Sequence, residues 1–441
     1  MKILIGFLLV FFVYACNLKS SSVADKKLLD DSNVLHNNQQ QLTNVIIYDV
    51  FSPPVASRIY AYTALASYEA MRFSEKNYPS IASQLHGFPA LPIPEEGKKY
   101  NFLLAATKAF FTVAQNVKIF SYDSTLAYQE KLYSDFRSLL EPEIFDRSVA
   151  FGEAIGKKIL ERAAKDNYKE TRGMEKYLGS KEKGKWQPTA PDYNDGVEPY
   201  WHLLRPLVLD SANQCKALPA PVYKIDTTSE FYKTTYEVYA IGKNITEDQK
   251  TIARYWDDNP FVTEHSGHLM YGNKKITPVG HWMGITDIAC KLKKTDPVET
   301  AQAFAMTAIA IFDSFIACFE EKYKSQLVRP ITVINELIDR NWQPFLQTPA
   351  FPEHTSGHST ISAAAASVLT QRFGDNFKFE DTSDMAYIGM KREFSSFLAA
   401  ANEASISRLY GGIHYRTGIT AGSKQGMEVA RLINERIRLH D

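Results

Sequence analysis

Basic side chains, histidines and small residues recur in three short blocks in the second half of this sequence. The residues concerned are Lys322, Arg329, Ser356, Gly357, His358, Arg408 and His414. Taken singly, each basic residue is best interpreted as a surface charge. Gathered around one point, three cations repel one another, and only an anion offsets that repulsion, by on the order of 4 kcal/mol per cation about 4 Å away before desolvation. The set therefore predicts a site for one small, multiply charged tetrahedral anion.

The middle block, FPEHTSGHST (351–360), predicts the beginning of a helix. Ser356, Gly357 and His358 precede an alanine-rich stretch, so they are expected in the first helical turn. The free N–H groups and the positive dipole end of that turn favour an oxyanion. Glycine there allows the anion to approach the backbone closely.

The flanking blocks are expected to bring cations and a histidine towards that turn. Lys322 and Arg329 lie seven positions apart, so on one helix they would point the same way, about 10 Å apart along the axis. Pro330 is expected to end that helix at the arginine. In the third block, the glycines at 411–412 allow a tight turn before His414.

The three blocks resemble the signature of the superfamily that joins type 2 phosphatidic acid phosphatases, bacterial acid phosphatases and vanadium-dependent haloperoxidases. They are Lys-X6-Arg-Pro at 322–330, Ser-Gly-His at 356–358 and Ser-Arg-X5-His at 407–414. The resemblance covers residues from about 300 to 435. It implies an all-α fold, with a large helical bundle domain of the vanadium haloperoxidase and acid phosphatase type.

The resemblance also implies a role for each matching residue. His414 would attack phosphorus in a phosphatase or bond to vanadium in a haloperoxidase, and His358 would be the general acid/base. Phe351 would lie beside the oxoanion, and His354 would handle protons or face the halide. The residues implied to hold the oxygens of vanadate are Lys322, Arg329, Ser356, Gly357 and Arg408.

Two positions depart from the phosphatase pattern. Thr355 stands where proline is usual, which is a mild change. Gly418 stands where the phosphatases carry an aspartate that orients the histidine nucleophile. Without that carboxylate, His414 is expected to lose the partner that fixes its tautomer and raises its basicity. This departure argues against phosphatase activity.

Three functions remain open. A long, mostly helical region precedes the first block, which resembles the haloperoxidase branch and its bacterial iodoperoxidases. That branch implies oxidation of iodide or bromide by hydrogen peroxide to hypohalous acid, with vanadate as cofactor. One alternative is a phosphomonoesterase that acts on a phosphate ester through a histidine nucleophile. The other is a non-catalytic oxyanion-binding lipoprotein, against which His358 argues, because simple capture needs no acid/base group.

Residues 254–282 contain a second cluster of potential ligands. Its members are Glu264, His265, His268 and His281. A metal site is one interpretation, but no cysteine or carboxylate lies at a matching spacing, so we interpret the histidines as lining the mouth of the anion pocket. Asp257 or Asp258 is predicted to pair with Arg329 or Arg408.

The apolar spacing elsewhere is mostly helical, and no alternating strand pattern of useful length occurs. Helices are predicted at about 56–73, 100–117, 124–140, 145–165, 229–242 and 246–257. The segment 301–319 is apolar almost all round, but Gln302 and Asp313 interrupt it, so a buried central helix is favoured over a membrane span. Residues 176–222 are rich in proline, glycine and polar residues, which predicts a long irregular excursion.

The amino terminus resembles a bacterial lipoprotein signal, residues 1–16, with a lipid on Cys16. The alternative is an uncleaved anchor or an ordinary signal. The lipid implies an extracytoplasmic protein anchored to a bacterial membrane, in the outer membrane or periplasm. A flexible tether is predicted for 17–41, with structure from near Leu42. An N-terminal helical region, 42–290, and a site-bearing helical region, 291–441, follow.

Composition limits the remaining possibilities. The 441 residues are 45% hydrophobic and 23% charged, which suits one large or two medium domains. With 50 basic and 50 acidic residues, the formal charge is zero, which argues against nucleic acid as a partner. Besides Cys16, the chain has Cys215, Cys290 and Cys318, so at most one disulfide is expected among them.

Overall fold

The computed structural model describes residues 28–440 other than 118, 267, 268 and 273, and only the backbone of the other residues in 263–272. The predicted signal, Cys16 and the first part of the predicted tether lie outside the described residues.

The described residues form fifteen α-helices and two small antiparallel hairpins, so the all-α prediction is confirmed. The helices are α1 Asn33–Tyr48, α2 Pro53–Met71, α3 Phe102–Ala114, α4 Tyr122–Leu139, α5 Pro142–Ala163, α6 Tyr168–Thr171, α7 Glu230–Lys243, α8 Glu247–Tyr255, α9 Pro278–Lys293, α10 Pro297–Ser325, α11 Pro330–Leu337, α12 Gly357–Phe373, α13 Met385–Ile388, α14 Phe397–Tyr410 and α15 Arg416–Arg436. The hairpins pair β1 Thr263–Ser266 with β2 Leu269–Gly272, and β3 Phe379–Asp381 with β4 Arg392–Phe394.

The central helix α10 joins two groups of helices. It packs against α2, which belongs with α3 and α5, and against α12 and α15 on its other side. Among the described residues, α10 alone is long and apolar enough to cross a membrane, and its most apolar 18 residues are all buried inside the protein. The core-helix interpretation is therefore confirmed. Helix α10 contacts both groups of helices. The predicted division of the chain into two helical regions at residue 290 stays a prediction.

Asp313, the acidic residue within the apolar sequence of α10, holds the irregular excursion 176–222 in place. Asp313 is fully buried and accepts hydrogen bonds from the backbone amides of Leu207, Val208 and Leu209 at 2.8, 2.8 and 2.9 Å. A buried carboxylate needs such donors. Apart from a short 3₁₀ turn at Trp201–Leu203, no regular helix lies in the described excursion 176–222, as predicted.

Helices α12 and α15 approach each other unusually closely, and this approach positions the site. A Cβ atom on Gly422 would lie 2.7 Å from the carbonyl oxygen of Ser356, and one on Gly426 would lie 1.9 Å from that of Thr360. Glycines four residues apart on α15 face α12 because such positions share one side of a helix. The amide of Ser356 donates to the carbonyl of Gly418 at 3.0 Å, which joins the beginnings of the two helices.

The prediction that structure starts near Leu42 is wrong. Helix α1 begins at Asn33, and its polar residues are used in the interior. Asn38 Nδ2 donates to Thr107 Oγ1 at 3.1 Å, and His36 Nδ1 lies 2.7 Å from Asp287 Oδ1. Its polar composition suggested a tether because buried polar residues are indistinguishable from solvated ones in sequence. Among the described residues, Cys215, Cys290 and Cys318 are free and buried.

Candidate oxyanion site

The seven predicted site residues come from six segments that meet at one pocket. They are the end of α10, the beginning of α11, the loop before α12, the first turn of α12, the end of α14, which carries Arg408, and the turn between α14 and α15. Gly357, His358, Arg408 and His414 line the pocket directly, beside aromatic and proline side chains. Lys322, Arg329 and Arg408 are almost completely buried.

The cations converge, but the predicted reason is wrong. Lys322 and Arg329 do not share a helix. Helix α10 ends at Ser325, Gln326 adopts a left-handed backbone with φ 51°, and Arg329 flanks the beginning of α11. Pro330 therefore begins a helix at its first position, where proline is favoured, and does not end one.

Lys322 is held by the loop that precedes α12. Its Nζ donates to the carbonyl of Pro352 at 2.9 Å, to that of Glu353 at 3.1 Å and also to that of Thr355. Nζ lies 4.7 Å from the ring centre of Phe351. Burial, followed by repulsion from Arg329, lowers the pKa of Lys322 to about 7. Lys322 thus fixes the loop that carries Ser356, and its charge is costly until an anion is present.

Arg329 spans the pocket wall. Its Nε donates to the carbonyl of Phe351 at 2.8 Å, and Nη1 donates to that of Ile413 at 2.8 Å. Nη1 also lies 3.2 Å from Nε2 of His414. Its Nη2 is buried without a partner among the residues that the structure describes. Burial and the charge of Arg408 lower its pKa to about 10, against the opposing effect of Glu353.

Arg408 approaches from the end of α14. Its Nη1 donates to the carbonyl of Trp256 at 2.7 Å, whereas its Nε is buried and has no partner in the described part of the chain. Burial lowers its pKa, and the charges of Asp257 and Asp258 act in the opposite direction. These two aspartates hydrogen bond elsewhere, Asp257 to Lys275 at 2.7 Å and Asp258 to His281. The predicted pairing is therefore electrostatic for Arg408, and the described contacts of Arg329 include neither acid.

The first turn of α12 presents its backbone to the pocket, as predicted. Ser356 is the N-cap, and its Oγ accepts from the amide of Ser359 at 3.3 Å. A Cβ built on Gly357 would meet nothing nearer than Phe315 at 4.0 Å, so the glycine leaves open space in front of the helix end. The side chain of His358 is 14% exposed. Burial, then the charges of Arg408 and His281, hold the pKa of His358 well below its ordinary value.

His414 is oriented by a residue that sequence reasoning missed. Glu353 Oε1 lies 2.7 Å from Nδ1 of His414 and accepts from the amide of Tyr415 at 3.1 Å. A carboxylate partner puts the proton on Nδ1, which leaves Nε2 with a lone pair facing the pocket. The expectation that His414 lacks an orienting carboxylate is therefore wrong. Burial raises the pKa of Glu353 to about 7, against the effect of Arg329 and Lys322.

The missed contact had a signal in the sequence. A Cβ on Gly418 would lie 2.3 Å from Oε1 of Glu353. The glycine therefore makes room for a carboxylate delivered from another loop, where the phosphatases carry an aspartate on the helix itself. The absence of an aspartate at 418 indicates that another segment supplies the acid. Glu353, inside the middle block, is such an acid.

Two neighbours of the middle block have different outcomes. Phe351 lies within 5.0 Å of Cζ of Arg329, measured to its ring centre, and lines the pocket. His354 does not reach the pocket: its Nε2 lies 2.9 Å from the carbonyl of Leu218, and burial lowers its pKa to about 4. The structure therefore gives no support to a proton-handling or halide-facing role for His354.

The members of the second predicted cluster, in residues 254–282, have different outcomes. His268 and the side chains of Glu264 and His265 lie outside the described residues. His281 is buried among carboxylates, and Asp258, His281 and Asp384 offer ligand atoms within 4.8 Å of one another. That spacing is also suitable for a metal ion. However, His281 lies 2.9 Å from Asp381 through Nε2 and 3.1 Å from Asp258 through Nδ1, so an imidazolium already supplies the cluster with positive charge.

The residues present suit an oxyanion. Burial depresses the pKa values of all three buried cations, although the carboxylates of Glu353, Asp257 and Asp258 act in the opposite direction. Donor groups on two of the cations, Arg329 Nη2 and Arg408 Nε, have no partner in the described part of the chain. Buried polar groups are normally paired. The unmet donors, the helix N-terminus and the open space before Gly357 together form a receptor for a tetrahedral anion.

Known proteins resemble this chain in sequence and in fold. The family model described as the VCPO second helical-bundle domain matches residues 302–341 and 335–440. The crystal structure of the first bacterial vanadium-dependent iodoperoxidase is 44% identical, covers 94% of this chain and 98% of its own, and superposes with a TM-score of 0.88. A search of curated proteins found no match.

Two more distant structures share the fold. The holo form of a bacterial vanadium-dependent chloroperoxidase is 16% identical, with a TM-score of 0.68, and covers 88% of this chain and 93% of its own. An apo form is 15% identical, with a TM-score of 0.64, and covers 88% of this chain and 94% of its own.

Proposed function

Because the chain belongs to the vanadium-dependent haloperoxidases, it oxidises halide with hydrogen peroxide at bound vanadate, and we propose that iodide is its preferred halide. The observation that carries this proposal is the likeness over 94% of the chain, at 44% identity, to a bacterial iodoperoxidase. The pocket wall agrees with it. Phe261, Phe315, Phe319 and Phe351 line the pocket, and aromatic surroundings suit a large, weakly hydrated and polarisable anion.

We assign six of the seven residues to vanadate as follows. His414 offers Nε2, since Glu353 holds the proton on Nδ1. The oxygens of the anion are held by Lys322, Arg329, Ser356, Gly357 and Arg408. The buried donors Arg329 Nη2 and Arg408 Nε, which lack partners in the described residues, support this assignment. When bound, vanadate supplies Lewis-acid activation of hydrogen peroxide.

The chain's own residues move the proton. His358 is the general acid/base, because its side chain is partly exposed to the pocket and its depressed pKa keeps the ring neutral at ordinary pH. A neutral imidazole can accept a proton from hydrogen peroxide and later return it to the leaving oxygen. The aromatic wall excludes bulk water from the pocket, which strengthens each charge interaction there.

The halide proposal is tested with vanadate-loaded protein and hydrogen peroxide, comparing iodide, bromide and chloride under the same conditions. We expect kcat/KM to be highest for iodide. Equal or higher kcat/KM for bromide would overturn the halide preference and leave haloperoxidase activity standing. Hydrolysis of p-nitrophenyl phosphate by vanadate-free protein, measured in parallel, tests the phosphomonoesterase alternative, and turnover of neither substrate favours the binding lipoprotein.

We also propose that the mature protein is extracytoplasmic and anchored to a bacterial membrane by a lipid on Cys16. The apolar run followed by a small residue and Cys16 supports this proposal, and stable anchoring requires two acyl chains or more. Labelling with a fatty-acid analogue should tag the wild type and not Cys16→Ser. Equal label in both would overturn it.

A further inference from the structure

A buried histidine bridges carboxylates directly behind the pocket. His281 on α9 is fully buried; its Nδ1 lies 3.1 Å from Asp258 Oδ1 and its Nε2 lies 2.9 Å from Asp381 Oδ2. Asp384 Oδ2 is 3.5 Å from Nδ1. An imidazole with a carboxylate at each nitrogen donates from both. Burial opposes its charge, but the three carboxylates hold the pKa of His281 well above its ordinary value.

This cluster touches the site through Asp258 and Trp256. Asp258 Oδ2 lies 3.8 Å from Nε2 of His358, and that nitrogen has no hydrogen-bond partner in the described chain. The ring of Trp256 stacks on His281 with centroids 4.4 Å apart. The carbonyl of Trp256 accepts from Arg408. Two groups of the pocket, His358 and Arg408, are therefore supported by residues that contact His281.

We propose that His281 is a positioning residue for His358: its hydrogen bond fixes the carboxylate of Asp258 opposite the acid/base ring. This inference rests on the proposed role of His358. The gap of 3.8 Å suits a resting enzyme, because catalytic hydrogen bonds are often long before substrate binds.

The physical reason lies in the cost of a buried charge. A carboxylate beside a neutral histidine in an apolar interior tends to take up a proton. The contact of 3.1 Å between Nδ1 of His281 and Oδ1 of Asp258 holds that carboxyl group opposite the ring of His358. The other groups that face His281 are Tyr255 at 5.3 Å between ring centroids, Asp381 and Asp384; Lys275 acts on Asp384 electrostatically.

The far side of the cluster is anchored independently of the pocket. Asp381 Oδ1 accepts from the amide and the hydroxyl of Ser383 at 3.0 and 2.7 Å. Tyr255 donates to the carbonyl of Asp381 at 3.2 Å. Asp381 thus fixes the position of His281, and the orientation of His281 in turn fixes the carboxylate of Asp258.

The first test needs no vanadate and no turnover. In vanadate-free protein labelled with ¹⁵N-histidine, His281 should show two protonated ring nitrogens, and His281→Gln should shift the ring resonances of His358. The matched control is His36→Gln, since His36 is also buried beside a carboxylate, Asp287, at 2.7 Å. Unchanged His358 resonances in His281→Gln, or equal changes in both variants, would overturn the proposal.

The second test is a double-mutant cycle with vanadate-loaded protein. We expect His281→Gln to lower kcat for halide oxidation by about 10- to 100-fold, and to lower the residual kcat of His358→Ala by less than about twofold. KM for halide should stay unchanged. The same fold-loss in both backgrounds would mean that His281 acts only on the structure, and the proposal would be rejected.

A second variant guards against a His281→Gln protein that does not fold. Asp381→Asn keeps the shape of the cluster and faces neither His358 nor Arg408 in the described contacts. It should shift the His358 resonances in the same direction and lower kcat by a smaller factor; no change in either would also reject the proposal. If the wild type oxidises no halide, the proposed function fails, whereas the resonance shifts still decide the positioning role.

Discussion

Two groups of buried arginines differ in whether the protein itself satisfies them. In the N-terminal group, Arg58 Nε lies 2.7 Å from Asp166 Oδ2, which also accepts from Tyr62 at 2.9 Å. Arg162 donates to Tyr62 at 3.0 Å and to the carbonyl of His86 at 2.6 Å. No buried guanidinium nitrogen of Arg58 or Arg162 lacks a partner among the described residues.

The site arginines contrast with this arrangement. Arg329 and Arg408 each keep a buried nitrogen without a partner, and the acids nearest to Arg408 hydrogen bond to Lys275 and His281. Burial of positive charge alone therefore does not identify a ligand site. Arg329 and Arg408 combine nearly complete burial with a donor that has no partner in the described residues, beside the first turn of α12, and a bound anion would supply that partner.

The largest expected effect comes from removing a site cation. Arg408→Met should lower kcat/KM for halide oxidation by about 100- to 1000-fold, as expected when a donor to a developing anion is lost. Without vanadate, its free energy of unfolding should change by no more than about 1–3 kcal/mol, because Asp257 and Asp258 keep their other partners. Steady-state kinetics and urea denaturation measure the two quantities.

The control for this variant is Arg416→Met. Arg416 follows His414 closely, but its side chain is 52% exposed and pairs with Glu237. It should change neither quantity appreciably. Equal losses of activity in Arg408→Met and Arg416→Met would remove the distinction between buried and exposed cations.

The satisfied group should behave in the opposite way. Arg58→Met leaves Asp166 buried without its charge partner, so the free energy of unfolding should fall by about 3–5 kcal/mol. Vanadate affinity of the folded protein should stay unchanged. Denaturation together with equilibrium dialysis checks this. A variant of wild-type stability, or one with weakened vanadate binding, would contradict the contrast between the two groups.

The contact between Glu353 and His414 sharpens the comparison, because it pairs a site histidine with a buried carboxylate from within the chain. Glu353→Gln weakens the hydrogen bond to Nδ1 of His414, and we expect vanadate affinity to fall by about 10- to 100-fold. Glu237→Gln, at an exposed ion pair, is the matched control. Equal affinities for wild type and Glu353→Gln would show that the carboxylate does not orient the histidine.

The smallest expected effect is a dependence of vanadate-free stability on pH. Lys322 has a folded pKa of about 7, below its ordinary 10.5, so between these values the unfolded chain binds more protons and stability should rise with pH. Glu353 has a folded pKa of about 7, above its ordinary 4.5, so stability should fall as pH rises through that lower window. Denaturation at several pH values measures both slopes, and a Lys322→Met protein that keeps the upper slope would contradict the assignment.

Sequence reasoning found the site residues because residue type and local spacing carry them. The first turn of α12 was predictable from Ser356 and Gly357, and the central helix from its apolar composition. Glu353 was missed because its partner, His414, lies 61 positions away, and no local pattern encodes that contact. Helix α1 was missed because Asn38 and other buried polar residues resemble a tether in composition.

The origin of the convergence of Lys322 and Arg329 was also hidden from the sequence. A spacing of seven suggested one helix, but Gln326 adopts a left-handed conformation with φ 51° and breaks it. The side chain of Arg329 nevertheless lies near Lys322, because its Nε donates to the carbonyl of Phe351 at 2.8 Å. Phe351 belongs to the loop before α12, which Lys322 also contacts. Contacts between distant segments, and not the seven-residue spacing on one helix, therefore bring Lys322 and Arg329 together.

A crystal structure of the protein soaked with vanadate tests the central claim most directly. The account predicts one tetrahedral or five-coordinate anion bonded to Nε2 of His414 and within hydrogen-bond distance of Arg329 Nη2, Arg408 and the amide of Gly357. Vanadate bound elsewhere, or a pocket without vanadate at a saturating concentration, would contradict it.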